Sequence, residues 1–182
     1  NLKVDFPHRQ LDGVATLTLD WKNAAAQDLV LDTENLKIAS IEAVDGDGHA
    51  SALKYQLAAP VPNMGSKLTI AAPKHPHEVR IAYSTSPDAS GLQWLTAAQT
   101  ADKKLPFLFS QSEATHARSW IPLQDSPAIR FTYKAHVTAP TDVRVVMSAP
   151  NDPKHPLDGS FDATGGPLGA GHGQQAYIDN FL

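Results

Sequence analysis

Apolar and polar residues alternate along several stretches of this chain, and this alternation limits its possible folds more than any other feature. Successive side chains of a β-strand point to opposite faces, so a period of two predicts strands with one buried and one solvated face. The alternation extends over residues 14–21, 53–57, 79–83, 129–137 and 143–147. No segment carries a long apolar stripe with a period of 3.6 residues, so the sequence predicts strands rather than helices.

Shorter apolar runs at residues 29–31, 36–41 and 68–70 are candidates for further strands. Glycine, proline and aspartate separate the runs, and these residues are typical of turns. The turn sequences are Asp12-Gly13, Asp45-Gly46-Asp47-Gly48, Pro60-Val61-Pro62-Asn63, Pro87-Asp88 and Pro150-Asn151-Asp152-Pro153. Many short strands joined by frequent turns predict an all-β fold, either an antiparallel β-sandwich or a pair of packed sheets.

Two regions interrupt the strand pattern. Residues 84–127 show little alternation but contain several aromatic side chains, which predicts a long ordered loop rather than disorder. Residues 158–173 are rich in glycine, which is typical of a flexible tail rather than a packed strand. We therefore expect one β-domain at residues 1–157 and a glycine-rich C-terminal tail at 158–182, whose structure the sequence does not predict.

Composition excludes several classes of protein. Apolar residues make up 42% and charged residues 19% of the 182 positions, which is ordinary for a globular domain. The 15 basic and 19 acidic residues give a net charge of −4 without a basic stripe, so nucleic acid is not an expected partner. The chain contains no cysteine, which excludes disulfides, a thiolate nucleophile and a cysteine-type zinc site.

The sequence also bears on location. No apolar run approaches the ~20 residues of a membrane-spanning helix, so we expect a soluble protein without a membrane partner. The chain begins at Asn1 without a methionine and shows no signal-peptide pattern, which predicts a processed or trimmed product. Such a sequence fits the cytoplasm as well as the periplasm or a secreted protein, so the compartment is not predicted.

One short stretch looks like part of a metal site. His77 and Glu78 begin like the zinc-protease motif H-E-x-x-H, but position 81 is isoleucine rather than histidine. The motif needs a helix to bring both imidazoles to one face, whereas residues 79–83 have the period of a strand. His75 and His77 flank a proline, and histidines in such a loop are more often exposed than metal-bound. The eight histidines otherwise give no ligand spacing, so no metal site is predicted in this chain.

The sequence SQSEATHARSW at residues 110–120 concentrates hydroxyl, amide, carboxylate, imidazole and guanidinium groups. Such an inventory suggests an active site. A hydrolase triad drawn from Ser110, Ser112, His116 and Asp125 has no support, however, because the G-x-S-x-G elbow is absent and order along the chain does not establish geometry.

Two residues near this stretch are better explained as scaffold. Arg118 can clamp a nearby loop carboxylate or carbonyl with its planar guanidinium, and Asp125 opens a turn before the next predicted strand. That leaves Gln111 and Glu113 as candidates for binding. Taken alone, a loop glutamate is most often only solvated.

A series of short motifs runs in one order through the middle of the chain. The motifs are GLQWLT (91–96), QT (99–100), PFLFSQ (106–111), EA (113–114), HARSWIP (116–122), QDSP (124–127) and FTYKA (131–135). Together with LDGVATLT (11–18) and LVLDT (29–33), they resemble the N-terminal domain of the zinc aminopeptidases of the aminopeptidase N and leukotriene-hydrolase family. The resemblance covers residues 4–150 and is densest at 91–137, where many residues recur at fixed spacing.

The resemblance implies a saddle-shaped β-domain without a metal, which contributes one loop to a catalytic cleft completed by a separate domain. Glu113 matches a glutamate or glutamine that holds the free α-amino group of the substrate, so peptide amino termini are an implied partner. Gln111 matches a residue that lines the first side-chain pocket, and Ala114 belongs to the same substrate-binding motif. A carboxylate at a fixed distance from the zinc lets an exopeptidase count from the chain end, because it accepts charge-assisted hydrogen bonds from an ammonium group.

The chain departs from this family pattern because it lacks H-E-x-x-H altogether. We therefore expect it to be inactive alone, with the zinc held in a catalytic domain of the same enzyme that is also its expected partner. Without that domain, an apolar face around Phe107, Phe109 and Trp120 is expected to be exposed and to favour self-association. His116 and Arg118 are expected to support the loop that carries the substrate-binding residues.

Two hypotheses remain open from the sequence. The first is the non-catalytic N-terminal domain of a zinc aminopeptidase, as the resemblance implies. The alternative is a stand-alone β-sandwich module that uses the loop at 91–127 to bind a protein or peptide partner, which the unmatched ending after Pro150 favours. An independent hydrolase based on Ser112 or His116 is a weaker, third hypothesis. Substrate side-chain preference and oligomeric state are not predicted.

Overall fold

The computed structural model describes residues 1–147 and the strand at 160–165, and the regular structure of this part of the chain is almost entirely β. Twelve strands lie within the described residues: β1 (Leu2–Asp5), β2 (Gln10–Thr18), β3 (Asp28–Thr33), β4 (Lys37–Val44), β5 (Ala50–Ala52), β6 (Tyr55–Leu57), β7 (Ser66–Ala71), β8 (Glu78–Ser84), β9 (Leu92–Leu95), β10 (Phe107–Ser110), β11 (Tyr133–Thr138) and β12 (Ser160–Gly165). Two short 3₁₀ helices, Ala97–Gln99 and Ala117–Ser119, complete the elements of these residues.

The strands form one large sheet, one small sheet and one hairpin. The large sheet has seven strands in the order β12-β11-β1-β2-β8-β4-β5, and the small sheet has the order β3-β7-β6. Strands β9 and β10 pair only with each other among the described residues. Neighbouring strands run antiparallel except β1 and β11, which pair parallel with Leu2 opposite Val137. Parallel neighbours need a long crossover connection, and here that connection contains most of the chain.

The main hydrophobic core lies between the large and the small sheet. Leu68 and Ile70 of β7 have no exposed surface and belong to one cluster with Val79 and Ile81 of β8, which are equally buried. Along β8 every second residue is buried and the residues between are half-buried, as the alternation predicts. Fully burying each such aliphatic side chain contributes roughly 1.5–3 kcal/mol. Two sheets packed in this way confirm the all-β, sandwich-like fold class.

The centre of the large sheet holds a buried tyrosine. Gly13 of β2 pairs with Tyr83 of β8, and a Cβ atom at residue 13 would stand 2.4 Å from the tyrosine ring. The ring therefore fills the space that the glycine leaves. Tyr83 is 5% exposed, and burial raises the pKa of its hydroxyl well above the ordinary value for tyrosine.

A second, smaller core lies at the other end of the large sheet. Val137 of β11 and Met147 form a buried cluster, and partly buried apolar residues of β1, β11 and the segment before Met147 pack against it. In this cluster, side chains of β1 pack against residues that lie more than 130 positions later in the chain. The cluster therefore joins the first described strand to the later part of the domain.

Several predicted strands are confirmed with changed bounds. The alternation at 79–83 lies within β8, and the short runs at 29–31 and 68–70 lie within β3 and β7. The run at 36–41 overlaps β4. The run at 53–57 is interrupted, because β5 ends before it and β6 covers only its second half.

Other predictions of local structure were wrong. Strand β11 begins at Tyr133 rather than at residue 129. A turn precedes the strand and is closed by a hydrogen bond from the Ile129 N–H to the Ser126 carbonyl. Ile129 and Phe131, which were predicted to be buried strand residues, are 40% and 39% exposed. Residues 143–147 pack beside the smaller core without forming a strand. The segment at 84–127 is ordered as predicted, but it also contains the β9–β10 hairpin, which the sequence did not predict.

The glycine-rich tail was also predicted wrongly at its start. Residues 160–165 form β12, which pairs antiparallel with β11 over six residues, because backbone hydrogen bonding to an open strand edge does not depend on composition. The rest of that tail, 166–182, lies outside the described residues, and the boundary at residue 157 stays a prediction. None of the helical segments that the structure describes has the length and apolar character that crossing a membrane requires.

Candidate functional site

The polar stretch at residues 110–120, called the 110–120 loop below, is held at both ends. It begins at Ser110, the last residue of β10, which pairs with Leu92 of β9. The backbone N–H of Gln111 donates to the Gly91 carbonyl at 2.9 Å and extends this pairing by one residue. The loop ends in the 3₁₀ helix Ala117–Ser119, whose three residues are all buried.

The segment before β9 packs directly against this loop. The Gly91 N–H donates to Ser119 Oγ at 2.9 Å, and that hydroxyl donates to the His116 carbonyl at 2.7 Å. Ser90 Oγ and His116 Nδ1 lie 2.8 Å apart, within hydrogen-bonding distance. A Cβ atom at residue 91 would stand 2.6 Å from the His116 carbonyl oxygen, so this close approach requires glycine.

Arg118 connects three segments of the chain. Its side chain is buried, and its Nε donates to Asp125 Oδ2 at 2.9 Å while one terminal nitrogen donates to the Asp125 carbonyl at 2.9 Å. The other terminal nitrogen donates to the Met64 carbonyl at 2.6 Å. The backbone N–H of Arg118 also donates to Asp125 Oδ2, at 3.1 Å. A guanidinium bonded in this way fixes the loop, the turn at Asp125 and the turn at Met64 relative to one another.

The same region is bonded to strand β3 of the small sheet. The Asp32 N–H donates to the Leu123 carbonyl at 2.7 Å, and the Asp125 N–H donates to Asp32 Oδ2 at 3.0 Å. The Glu34 N–H donates to the Arg118 carbonyl at 2.8 Å. The end of the loop therefore rests on the sandwich as well as on the neighbouring turns.

Trp120 supports the loop from inside. It has no exposed surface, and its indole N–H donates to Ser112 Oγ at 3.0 Å, where Ser112 is 1% exposed. The prediction that Trp120 contributes to an exposed apolar face was therefore wrong, because the indole packs beneath the loop. Phe107 is 42% exposed, and its ring centroid lies 6.0 Å from that of Phe109.

Gln111, Glu113 and Ala114 are the exposed residues at the start of the loop. The Glu113 N–H donates to Gln111 Oε1 at 3.1 Å, so the amide side chain closes a short turn around the intervening residue. The peptide bond between Glu113 and Ala114 is cis. The loop thus places one carboxylate and one amide side chain beside each other in solvent.

The hydrolase triad considered from the sequence is not assembled. Ser112 Oγ accepts from Trp120, His116 Nδ1 pairs with Ser90, and the Asp125 carboxylate accepts from the guanidinium described above. Each of the three groups has a different partner, so these residues form no serine–histidine–carboxylate chain.

The described residues also do not fit a zinc site. Among them, no three histidine, cysteine, aspartate or glutamate side chains lie together as a metal would require. His75 is engaged elsewhere, since its ring stacks on Trp21 with centroids 4.6 Å apart and its Nε2 contacts the Ala26 carbonyl. Strand β8 begins at Glu78, so the partial H-E-x-x-H lies at a strand, as its periodicity predicts, and not on a helix.

Sequence reasoning missed several residues that hold the loop. Ser90, Ser119, Asp32 and the carbonyl of Met64 were not predicted as contributors. The side chain at position 64 gives no sign that its backbone carbonyl accepts a hydrogen bond from Arg118, 54 positions later in the chain. Serines are too common in the sequence for any one of them to be predicted as a contact. Gly91 carried the one usable signal, because a glycine directly before an apolar strand indicates a close approach of two backbones.

The sequence and the fold both match a known family. The sequence profile described as the peptidase M1 N-terminal domain matches residues 1–163. The chain therefore belongs to the peptidase M1 family and corresponds to the N-terminal domain of its members, which confirms the resemblance to zinc aminopeptidases.

Particular relatives can be named for comparison. Leucine aminopeptidase 2 of Pyricularia oryzae is 36% identical over 158 residues, which cover 84% of this chain and 25% of that protein. The structure of yeast LTA4 hydrolase in complex with bestatin has a TM-score of 0.77 at 28% identity, covering 90% of this chain and 25% of that one. An M1 zinc metallopeptidase from Deinococcus radiodurans shares the fold with a TM-score of 0.63 at 19% identity, covering 90% and 36%. The chain spans about a quarter of the length of the curated relatives it matches.

Proposed function

We propose that this chain is the non-catalytic N-terminal domain of a zinc aminopeptidase and that its 110–120 loop recognises the free amino terminus of a peptide. The observation that supports this most directly is the division of the loop into exposed and buried side chains. Gln111 and Glu113 are exposed, whereas Arg118 and Trp120 are buried and hydrogen-bonded. A rigid β-scaffold that presents a few polar side chains on a fixed loop is a common mount for binding residues.

Glu113 is the proposed anchor for the substrate. Its carboxylate accepts charge-assisted hydrogen bonds from the α-ammonium group of a peptide. An internal amide carries no charge, so binding it would leave the carboxylate without its partner and would be disfavoured. Gln111 then lines the pocket for the first side chain, and Ala114 contacts the same end of the substrate.

His116, Arg118 and Asp125 are proposed to position the loop rather than to touch the substrate. The Arg118–Asp125 pair is buried and bonded in several directions, which restrains the backbone that carries Glu113. His116 contributes through its contact with Ser90. Restraint of this kind matters because a binding group must be held in the productive geometry before the ligand arrives.

The zinc and the chemistry of hydrolysis belong elsewhere in this proposal. The described residues do not fit the metal, and no H-E-x-x-H occurs in the sequence. The catalytic part of the same protein is therefore the proposed partner of this domain, since the chain spans only about a quarter of its curated relatives. The half-exposed pair Phe107 and Phe109 is the proposed apolar contact through which the isolated chain would self-associate.

The test uses the protein that joins this chain to a catalytic domain, assayed with aminoacyl p-nitroanilides. Glu113→Ala is expected to lower kcat/KM about 10-fold or more, because charge-assisted hydrogen bonds contribute roughly 1.5–3 kcal/mol. Asp47→Asn is the matched control, since it removes one exposed negative charge from a distant turn. Equal activities of the two variants would contradict the anchor role.

Two simpler measurements distinguish the aminopeptidase domain from the alternative, a stand-alone binding module. The gene is read beyond the codon for Leu182, where an H-E-x-x-H in frame supports the aminopeptidase and unrelated coding sequence or a stop supports the module. The 182-residue chain is also assayed alone with added zinc. Hydrolysis of aminoacyl substrates by this chain would contradict both hypotheses.

A further inference from the structure

One edge of the small sheet is open. The sheet has the strand order β3-β7-β6, and none of the residues that the structure describes continues it beyond β6. Its other edge is covered, because Asp32 of β3 forms a β-bridge with Leu123. The three residues of β6, Tyr55–Leu57, are all exposed. An open strand edge presents backbone donors and acceptors to which a further strand can bind.

The hydrogen bonds between β6 and β7 show which backbone groups of β6 face outward. Lys54 accepts a backbone hydrogen bond from β7 and Ala58 donates one to it, and each bond is 2.9 Å long. Backbone bonding to one neighbour alternates along an antiparallel strand, so Gln56 also faces β7. The N–H and C=O groups of Tyr55 and Leu57 therefore point away from β7, toward the open edge.

The side chains of β6 add apolar surface to this edge. Tyr55 pairs with Ile70 and Leu57 pairs with Leu68, so both point to the face of the small sheet that carries the core. Ile70 and Leu68 have no exposed surface, whereas Tyr55 and Leu57 are 44% and 43% exposed. The core face thus ends in two uncovered apolar side chains, which a strand paired with β6 would cover in part.

The outward groups of β6 match those of a second copy of the same strand. When two copies run antiparallel with Gln56 opposite Gln56, Tyr55 of each copy lies opposite Leu57 of the other. The two N–H and two C=O groups that each strand presents then form four hydrogen bonds, with none left over. A register centred on Tyr55 or on Leu57 pairs only one of these two residues within the strand. In the register centred on Gln56, Lys54 lies opposite Ala58, so no like charges meet.

We propose that β6 is a self-association edge, at which two copies of this chain pair antiparallel through residues 55–57. The two small sheets then form one continuous sheet of six strands. The arrangement is closed by its two-fold symmetry, because each copy uses the same strand edge. Stable interfaces involve roughly 20–30 residues a side, so an edge of three strand residues gives a weak dimer that forms at high protein concentration.

This edge is separate from the 110–120 loop. The segment that follows the loop bonds to β3, where the Asp125 N–H donates to Asp32, and β3 lies at the opposite edge of the small sheet. Pairing through β6 therefore does not depend on the role proposed for Glu113. Either proposal can fail without the other.

Because the sequence contains no cysteine, disulfide cross-linking is a direct test of the register. Gln56→Cys places one thiol of each copy in a non-hydrogen-bonded pair, where Cα atoms lie about 4.5 Å apart and a disulfide can form. With diamide as the oxidant, this variant should form a covalent dimer about 10-fold faster than Ser51→Cys, because pairing raises the local thiol concentration. Ser51, on the exposed edge strand β5, is the matched control. Both variants carry Phe107→Ser, which removes association through Phe107.

A second variant removes hydrogen bonds between the copies and none within one chain. Leu57→Pro deletes an N–H that points away from β7, and an edge strand tolerates proline at such a position. Sedimentation velocity over a range of concentrations should show a dimer whose dissociation constant this variant raises about 10-fold or more, because each dimer loses two hydrogen bonds. The melting temperature should stay close to that of the Phe107→Ser chain.

Three results would overturn the proposal. The first is that Gln56→Cys cross-links no faster than Ser51→Cys. The second is that the Phe107→Ser chain stays monomeric at the highest concentration at which it is soluble. The third concerns the protein that includes a catalytic domain, in which Gln56→Cys should also cross-link two copies. Loss of the cross-link there would show that the rest of that protein covers β6, and a second copy would not be its partner.

Discussion

The carbonyl oxygen of His116 lies so close to Gly91 that a Cβ atom at residue 91 would stand 2.6 Å from it. Two backbones thus meet where the 110–120 loop rests on the segment before β9. Real Cβ atoms do not approach an oxygen so closely, so any larger residue at position 91 must push the loop away.

Gly91→Ala should therefore destabilise the domain by about 1–3 kcal/mol, the usual cost of inserting a group into a packed site. Gly46→Ala is the matched control, because a Cβ atom there meets nothing within 4 Å. That variant should stay within about 1 kcal/mol of the unmodified chain or gain slightly. Urea unfolding of both variants measures the difference, and equal free energies of unfolding would argue against the close contact.

The buried pair formed by Arg118 and Asp125 predicts a large effect of removing either partner. Arg118→Ala should cost about 3–5 kcal/mol, because it leaves a buried carboxylate and the Met64 carbonyl without their donor. Arg80→Ala is the control, since its pair with Glu78 is 3.3 Å long and partly exposed, and it should cost at most about 1 kcal/mol.

Chemical denaturation at neutral pH compares the two arginine variants. Arg118→Lys keeps the charge but not the planar arrangement of donors, and it should lose most of the same stability. Losses of similar size at Arg118 and Arg80 would show that the buried pair contributes no more than a surface pair.

We predict that the buried Tyr83 makes the folded domain less stable in alkaline solution. Burial raises the pKa of its hydroxyl in the folded state, so between pH 9 and pH 11 the unfolded chain releases this proton while the folded chain keeps it. The stability that the protonated Tyr83 hydroxyl provides is fully present below the unfolded pKa of about 10. Above it, the free energy of unfolding falls by about 1.4 kcal/mol up to pH 11. Tyr83→Phe should remove this decline, and Tyr55→Phe, at a 44% exposed position, should not.

The length of the Glu113 side chain gives a fourth prediction, for the protein that includes a catalytic domain. Glu113→Gln keeps hydrogen-bond acceptance but loses the charge, and it should lower kcat/KM about 10-fold. Glu113→Asp keeps the charge and moves the carboxylate by one methylene, so its main effect should be on kcat through misplacement of the scissile bond. Steady-state kinetics on dipeptides resolves the two parameters, and an unchanged kcat for Glu113→Asp would contradict the distance argument.

Much of the fold was predictable because one-sided burial leaves a period of two in the sequence. Val79, Ile81 and Tyr83 show this in β8, where the structure buries each of them. The same signal misled at Ile129 and Phe131, because alternation persists by chance through a turn that no partner strand covers. Strand β12 was missed for the opposite reason, since its glycine-rich composition hides a backbone that pairs with β11.

The candidate site was predictable only in part. The inventory of the 110–120 loop and the pairing of Arg118 with Asp125 could be suggested from residue types seven positions apart. The contacts to Met64 and Asp32 could not, because they depend on how the small sheet lies against the loop. Burial of Trp120 was missed since an aromatic residue in a polar loop gives no sign of which side it faces.

The parallel pairing of β1 with β11 has a consequence for how the domain is made. Leu2 finds its partner Val137 only after 135 further residues have been added, which at 5–20 residues per second takes roughly 7 to 27 seconds on the ribosome. During that interval β1 can pair with β2, but its other edge stays open to any passing strand. Strand β1 is thus protected on this edge only long after its own synthesis, and nascent chains of this domain should be most prone to aggregate just before β11 emerges.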